Sequence, residues 1–381
     1  MLVHGGIDGA GNAVGVPEIF NPLTNRWRSL MGAVGGNILN QYDGWFYPRM
    51  FVTPNGRLFG MSEAKMFWMT TAGAGTLTAA GDLPPNSRGK ISAAVMYQPG
   101  KILQLGGYVG GDRNNPSAGA ITVDVTGATA IVAPVTGMVA PRMWASATVL
   151  PNGEVFVSGG SSQENQNTNS ALVAEIWNPA TKVFRQVAAA QTFRLYHSAS
   201  LLLQDGTVLT GGGGAPGPAF QNNVEIYYPP YLYNAQGIEK QRPLITQMPA
   251  AARYNQTVAV TYTSQNPIQR ATLVRLGAAT HSIDSGQQFA DLPITVQAGV
   301  ANVTLPANAN IAPPGFYYVF LLDNQGTPSV AKIVALNTDG KGPAINPLPE
   351  EARVGQSYYL RARHSQKCAA VAAGSMANGG N

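Results

Sequence analysis

Pro151-Asn152-Gly153-Glu154-Val155-Phe156-Val157-Ser158-Gly159-Gly160 reads as a tight turn, then an apolar strand that ends in a glycine pair. Asn-Gly is a strong hairpin signal, because the glycine takes a positive φ at no steric cost. The residues before it, Trp144-Ala145-Ser146-Ala147-Thr148-Val149-Leu150, supply the first strand of that hairpin. The pattern recurs on both sides. Upstream stand Pro54-Asn55-Gly56-Arg57-Leu58-Phe59-Gly60 and Pro99-Gly100-Lys101-Ile102-Leu103-Gln104-Leu105-Gly106-Gly107. Downstream stands Gln204-Asp205-Gly206-Thr207-Val208-Leu209-Thr210-Gly211-Gly212. The turn glycines Gly56, Gly100, Gly153 and Gly206 are separated by 44, 53 and 53 residues.

A period of about 50 residues with several short strands per unit is the signature of kelch-type propeller blades. A weaker repeat accompanies it: Glu18-Ile19-Phe20-Asn21-Pro22, Glu175-Ile176-Trp177-Asn178-Pro179 and Glu225-Ile226-Tyr227-Tyr228-Pro229. In the first two an aromatic, Trp27 or Phe184, lies nine residues past the glutamate. Leu2-Val3-His4-Gly5-Gly6 matches only the second strand of a unit. Residues 1–237 are therefore read as four full units plus a remnant, an incomplete ring. A propeller closes its ring to protect strand edges, so the expectation is a fragment of a longer product. The alternative is that the missing strands come from elsewhere.

After Tyr233-Asn234-Ala235-Gln236-Gly237 the composition shifts, and residues 243–338 alternate in short strands: 256–262, 271–283, 301–305, 316–322 and 330–336. That spacing predicts an immunoglobulin-like β-sandwich. Residues 347–381 turn polar and then Ala/Gly/Ser/Asn-rich, which predicts a disordered tail. The class is all-β throughout. Glycine (44) and proline (27) punctuate the 381 residues, while charged residues make up only 11%. A helical bundle and a disordered chain are both excluded by such numbers. The charge of +5 comes without a Lys/Arg run, so no nucleic-acid partner is indicated. No stretch is apolar for long enough to make a membrane span, and no signal peptide is visible at the first residues. The single cysteine, Cys368, says little about compartment.

Chemistry-bearing residues are few. The histidines are His4, His197, His281 and His364. His197 lies in a predicted first strand and His281 in a sandwich strand or the loop after it. Two imidazoles from different domains could converge on one copper, zinc or iron ion. A lone strand histidine is more often an ordinary polar residue, and spacing alone does not choose between these readings. His4 and His364 receive no role. Gly211 to Gly214 precede no helix and no P-loop lysine, so they are not a phosphate cradle.

Arg194-Leu195-Tyr196-His197-Ser198-Ala199-Ser200-Leu201-Leu202-Leu203-Gln204-Asp205-Gly206 closely resembles the copper-site strand of the galactose oxidase and glyoxal oxidase family. Tyr228-Pro229-Pro230-Tyr231-Leu232-Tyr233-Asn234 resembles its interdomain link. Ala279-Thr280-His281-Ser282, Pro314-Gly315-Phe316-Tyr317-Tyr318 and Gly326-Thr327-Pro328-Ser329-Val330-Ala331 resemble its C-terminal early-set domain.

The resemblance implies a seven-bladed propeller capped by an immunoglobulin-like early-set sandwich. It implies one copper ion held by Tyr196, His197 and His281, with Tyr196 also the catalytic base. Adjacent strand residues point to opposite faces, so Tyr196 and His197 need a local distortion to reach one ion. The family's radical cofactor, a tyrosine joined to a cysteine by a thioether, has no counterpart here. Cys368 lies in the tail, and the matching register places that tyrosine ahead of Met1. Tyr47, Trp144 and His197 each stand nine residues before a turn glycine. Tyr47 and Trp144 are therefore candidate pocket residues, with Arg49 a candidate hydroxyl-binding donor; packing near the axis is the competing role for the aromatics.

The implied partners are a small-molecule alcohol, aldehyde or carbohydrate and O2, with hydrogen peroxide as product. The expected assembly is a monomer, and the resemblance favours a secreted or periplasmic location. The rival function is a non-catalytic module that binds glycans or a protein.

Overall fold

The computed structural model describes residues 1–21, 24–35, 38, 46–86, 88–217, 219–281, 283–284 and 286–341, with two further strands at 359–361 and 368–370. Two compact units divide the chain, Met1–Gly342 and Pro343–Asn381.

The first unit opens with five antiparallel sheets that follow chain order. The first holds β1 (Leu2–Val3), β2 (Glu18–Asn21) and β3 (Arg26–Ser29). The second holds β4 (Arg49–Val52), β5 (Leu58–Ser62), β6 (Lys65–Thr70) and β7 (Thr76–Asp82). The third holds β8 (Arg88–Gln98), β9 (Lys101–Val109), a short arm β10 (Asp112–Pro116), β11 (Ala120–Asp124) and β12 (Ile131–Val135). The fourth holds β13 (Ser146–Val149), β14 (Val155–Ser158), β15 (Val173–Asn178) and β16 (Val183–Ala189). The fifth holds β17 (Ala199–Leu202), β18 (Val208–Gly211) and β19 (Val224–Tyr227).

Each sheet is a meander, and the first strands of successive sheets touch: β8 meets β13, and β13 meets β17. That is how propeller sheets pack about an axis. The turn glycines Gly56, Gly100, Gly153 and Gly206 sit at φ 81°, 73°, 85° and 81°, the left-handed conformation such hairpins require. The fifth sheet, the last of the full units in the repeat, has three strands among the described residues.

A 3-10 turn at Pro230–Leu232 leads into the sandwich. Its strands are β20 (Leu244–Gln247), β21 (Ala251–Arg253), β22 (Thr257–Thr263), β23 (Ile268–Arg275), β24 (Ala279–Thr280) and β25 (Ile283–Asp284). Then come β26 (Phe289–Leu292), β27 (Ile294–Gln297), β28 (Val300–Thr304), β29 (Gly315–Asp323) and β30 (Lys332–Asn337). One sheet runs β20-β22-β28-β27 and the other β21-β30-β29-β23-β26. Alternation along β22 buries Val258 and Val260 between the sheets, where they meet Leu273, Val319 and Leu321.

The expected single strand over 271–283 does not form. The chain leaves the sheet after Arg275 and makes a separate hairpin of β24 and β25. This hairpin lies against β13 and β17 of the propeller, and β25 also meets β8.

Propeller and sandwich share a core, in which Val149, Val155, Leu202 and Val208 pack with Val274, Phe289, Phe320 and Leu322. Polar bonds seal the seam. Thr272 Oγ1 donates to Pro151 O at 2.8 Å, and Gln204 Nε2 donates to Ala331 O at 2.8 Å.

The expectation of a disordered tail over 347–381 falls almost wholly outside the described residues. What is described there is an antiparallel pair, Tyr359–Arg361 with Cys368–Ala370. Among the described residues, no helix is long and apolar enough to cross a membrane.

Candidate metal centre

Five rings from four parts of the chain meet where the first strands begin. Tyr196 and His197 lie just ahead of β17, and their rings stack with centroids 3.7 Å apart. Trp144, just ahead of β13, lies 4.4 Å from the Tyr196 ring. Tyr47, just ahead of β4, hydrogen-bonds Tyr196 hydroxyl to hydroxyl at 2.8 Å. His281, at the tip of the β24–β25 hairpin, lies 4.5 Å from His197, 4.6 Å from Tyr47 and 5.5 Å from Tyr196, centroid to centroid.

The backbone explains how neighbours in sequence reach one place. Tyr47, Trp144 and His197 have φ values of 53°, 60° and 66°, and His281 has 52°. A non-glycine residue in that region is uncommon and strained. Here it breaks the up–down alternation of an extended chain, so Tyr196 and His197 present their rings to each other. The equivalent register position of the third sheet is Ile91, whose φ is not positive; it packs with Tyr108, Met143 and Trp144.

Charge is scarce among these rings. Burial holds the His281 imidazole below its ordinary pKa, with His197 adding to the effect. Thr280 Oγ1 bonds His281 Nδ1 at 2.8 Å, which leaves Nε2 as the nitrogen for a metal. Burial, then the bond from Tyr47, hold the Tyr196 phenol well above its ordinary pKa. Trp144 is 5% exposed, and its indole N–H has no partner among the described residues. Among the described residues, no three His, Cys, Asp or Glu side chains come together as a metal site. The donors here are instead two imidazoles and phenol oxygens, a set that suits Cu(II).

Arg49 is placed differently from the expectation. It is 5% exposed, and its guanidinium donates to the carbonyls of Tyr47 and Ser92 rather than standing open to a substrate hydroxyl. Burial lowers its pKa to about 10, with the charge of Glu63 acting against the shift. Phe46, which the sequence did not single out, flanks Tyr47 at 5.8 Å. Nothing in its local spacing marks it.

Comparison with known proteins agrees with this architecture. Residues 242–336 match the galactose oxidase-like early set domain. Galactose oxidase of Gibberella zeae is 31% identical over 339 residues, covering 83% of this chain and 49% of that protein. Aldehyde oxidase GLOX of Vitis pseudoreticulata is 26% identical over 328 residues, covering 76% of this chain and 62% of that protein. A solved fungal alcohol oxidase of the AA5 family, described in complex with copper, superposes with a TM-score of 0.79 at 26% identity. That match covers 88% of this chain and 73% of the other.

By sequence and by fold, this all-β chain is therefore a relative of the galactose oxidases and glyoxal oxidases, with their early-set domain. It spans about half the length of the galactose oxidase it matches.

Proposed function

We propose that the ring cluster is a copper site of an oxidase that converts a primary alcohol or aldehyde with O2, giving hydrogen peroxide. Tyr196, His197 and His281 would hold the ion, and Tyr47 and Trp144 would wall the substrate space beside it. The observation that carries this reading is the arrival of His281, on its own hairpin, 4.5 Å from His197, a residue 84 positions earlier. Bound copper would supply Lewis acidity toward a substrate oxygen and a redox couple for the oxidation. A bound cation would favour the Tyr196 phenolate, and once the phenol has given up its own proton its Oη would be the atom to take that of a bound hydroxyl. Tyr47 Oη, hydrogen-bonded to it, would hold the Tyr196 oxygen in place.

The proposal separates metal binding from turnover. The single cysteine of the sequence, Cys368, belongs to the second unit. These 381 residues are proposed to bind copper but to make no peroxide by themselves.

Titration of the metal-free chain with Cu(II), followed by its absorption and EPR spectra, tests the site. The wild type is expected to take up one ion with nitrogen-derived splitting. His281→Ala is expected to weaken uptake by about a hundredfold, the loss of a ligand and of the second domain's hold. Equal, weak uptake by both proteins would instead favour the binding-module reading.

A further inference from the structure

The hairpin that carries His281 is short: two-residue strands flank a two-residue tip. So small a ladder is marginal by itself, and something must hold it where His281 meets His197. Four residues at its base do this.

Asp284, at the end of β25, is 8% exposed. One carboxylate oxygen accepts from the backbone N–H of Ala278 at 2.7 Å, which ties the two legs of the hairpin together. The other accepts from Gln287 Nε2 at 2.9 Å. Gln287, 3% exposed, then reaches the propeller. Its carbonyl oxygen accepts from the backbone N–H of Val149, and its amide nitrogen donates to Ala147 O at 3.3 Å. Both are residues of β13, the strand that begins two residues after Trp144. On the other leg stands Gly277, where a Cβ would sit 2.5 Å from Asp284 Oδ2 and 2.6 Å from Leu201 Cδ2. Any larger residue there would push the Asp284 carboxylate or the Leu201 methyl out of place.

From this geometry we infer that Asp284 and Gln287 are positioning residues, a clamp that registers His281 against the inner strands of the propeller. Neither touches the rings. Their effect passes through the hairpin backbone, and Gln287 bonds the same strand that leads back to Trp144. The inference rests on the proposed copper site for its purpose. The clamp itself exists without metal.

The test therefore has two readouts on the full chain. The first is hydrogen exchange of the metal-free protein over residues 277–288, compared among wild type, Asp284→Asn, Gln287→Leu and the double swap Asp284→Asn/Gln287→Glu. Each single change should speed exchange there by about tenfold or more, while peptides of the sandwich core stay protected. The double swap reverses donor and acceptor between the two side chains and keeps the Val149 bond, but it leaves no donor for Ala147 O, so it should restore part of the protection. The second readout is Cu(II) affinity and the EPR spectrum. The single variants should shift toward His281→Ala, and the swap should shift back.

Unchanged exchange in both single variants would overturn the inference. Loss of protection across the whole chain that the swap fails to repair would also overturn it, since the residues would then be general packing. Faster local exchange repaired by the swap, in a wild type that binds no copper, would uphold the clamp and reject the copper reading.

Discussion

His197 at φ 66° and Trp144 at φ 60° hold conformations that cost a bulky side chain on the order of 1 kcal/mol or more each. Tyr47 repeats the geometry, and there the compensation is visible: Arg49 donates to the Tyr47 carbonyl and to Ser92 O across the sheet boundary. A guanidinium can serve two carbonyls from a fixed fork, whereas an ammonium on a flexible stem cannot hold both in register. Arg49→Lys is therefore expected to lower unfolding free energy by about 1–3 kcal/mol, seen as a lower urea midpoint at constant slope. A midpoint equal to wild type would mean that Arg49 is not what holds Tyr47. The position of Tyr47, Trp144 and His197 was legible in sequence from their common distance to a turn glycine. The direction of the Arg49 side chain was not, because its partners include Ser92, 43 residues away.

At the scale of elements, ion pairs knit the last two propeller sheets to the loops that enter them. Arg142 and Glu175, 1% and 0% exposed, pair at 3.0 Å. Arg142 also donates to Gly159 O at 3.0 Å, and Glu175 accepts from the Val139 N–H at 2.9 Å. The next sheet repeats the device with Arg194 and Glu225, also at 3.0 Å, and with the Gln191 N–H at 2.7 Å. This gives a physical reason for the two downstream copies of the Glu-Ile-aromatic repeat: the glutamate anchors the arginine that precedes a first strand, whereas Glu18 accepts from Ser29 Oγ. Removing one partner leaves an uncompensated buried charge. Glu175→Ala should cost about 3–5 kcal/mol, and Arg142→Met/Glu175→Leu much less than that. Denaturant melts of the two proteins would decide, and a double variant as unstable as the single one would contradict the account. Strand existence was largely readable from alternation and turns. The break after Arg275 was not, because the apolar run continues into the hairpin and only contacts with β13 and β17 pull it out of the sheet.

Across the whole first unit, propeller and sandwich unfold as one body if their shared core governs cooperativity. Phe289 is 2% exposed, and its ring lies against the Gly153 turn, 3.0 Å from where a Cβ would stand. Calorimetry should show a single transition for Met1–Gly342. Phe289→Ala should lower its stability by about 3–5 kcal/mol. Phe289→Asp should split it into two transitions, since the sandwich keeps its own interior around Val260, Val303 and Leu321. A wild type that already melts in two steps would reject this coupling.

The amino-acid sequence alone determined the β class, the repeated hairpins, the position of the sandwich, and three of the rings that meet. These depend on local rules: glycine at positive φ, period-two burial and a fixed count from turn to strand start. Only the tertiary structure decided that His281 stands on a detached hairpin, that Asp284 and Gln287 hold its base, and that Arg49 faces backbone rather than open space. Those outcomes rest on contacts between residues tens to more than a hundred positions apart, whose geometry no local pattern encodes.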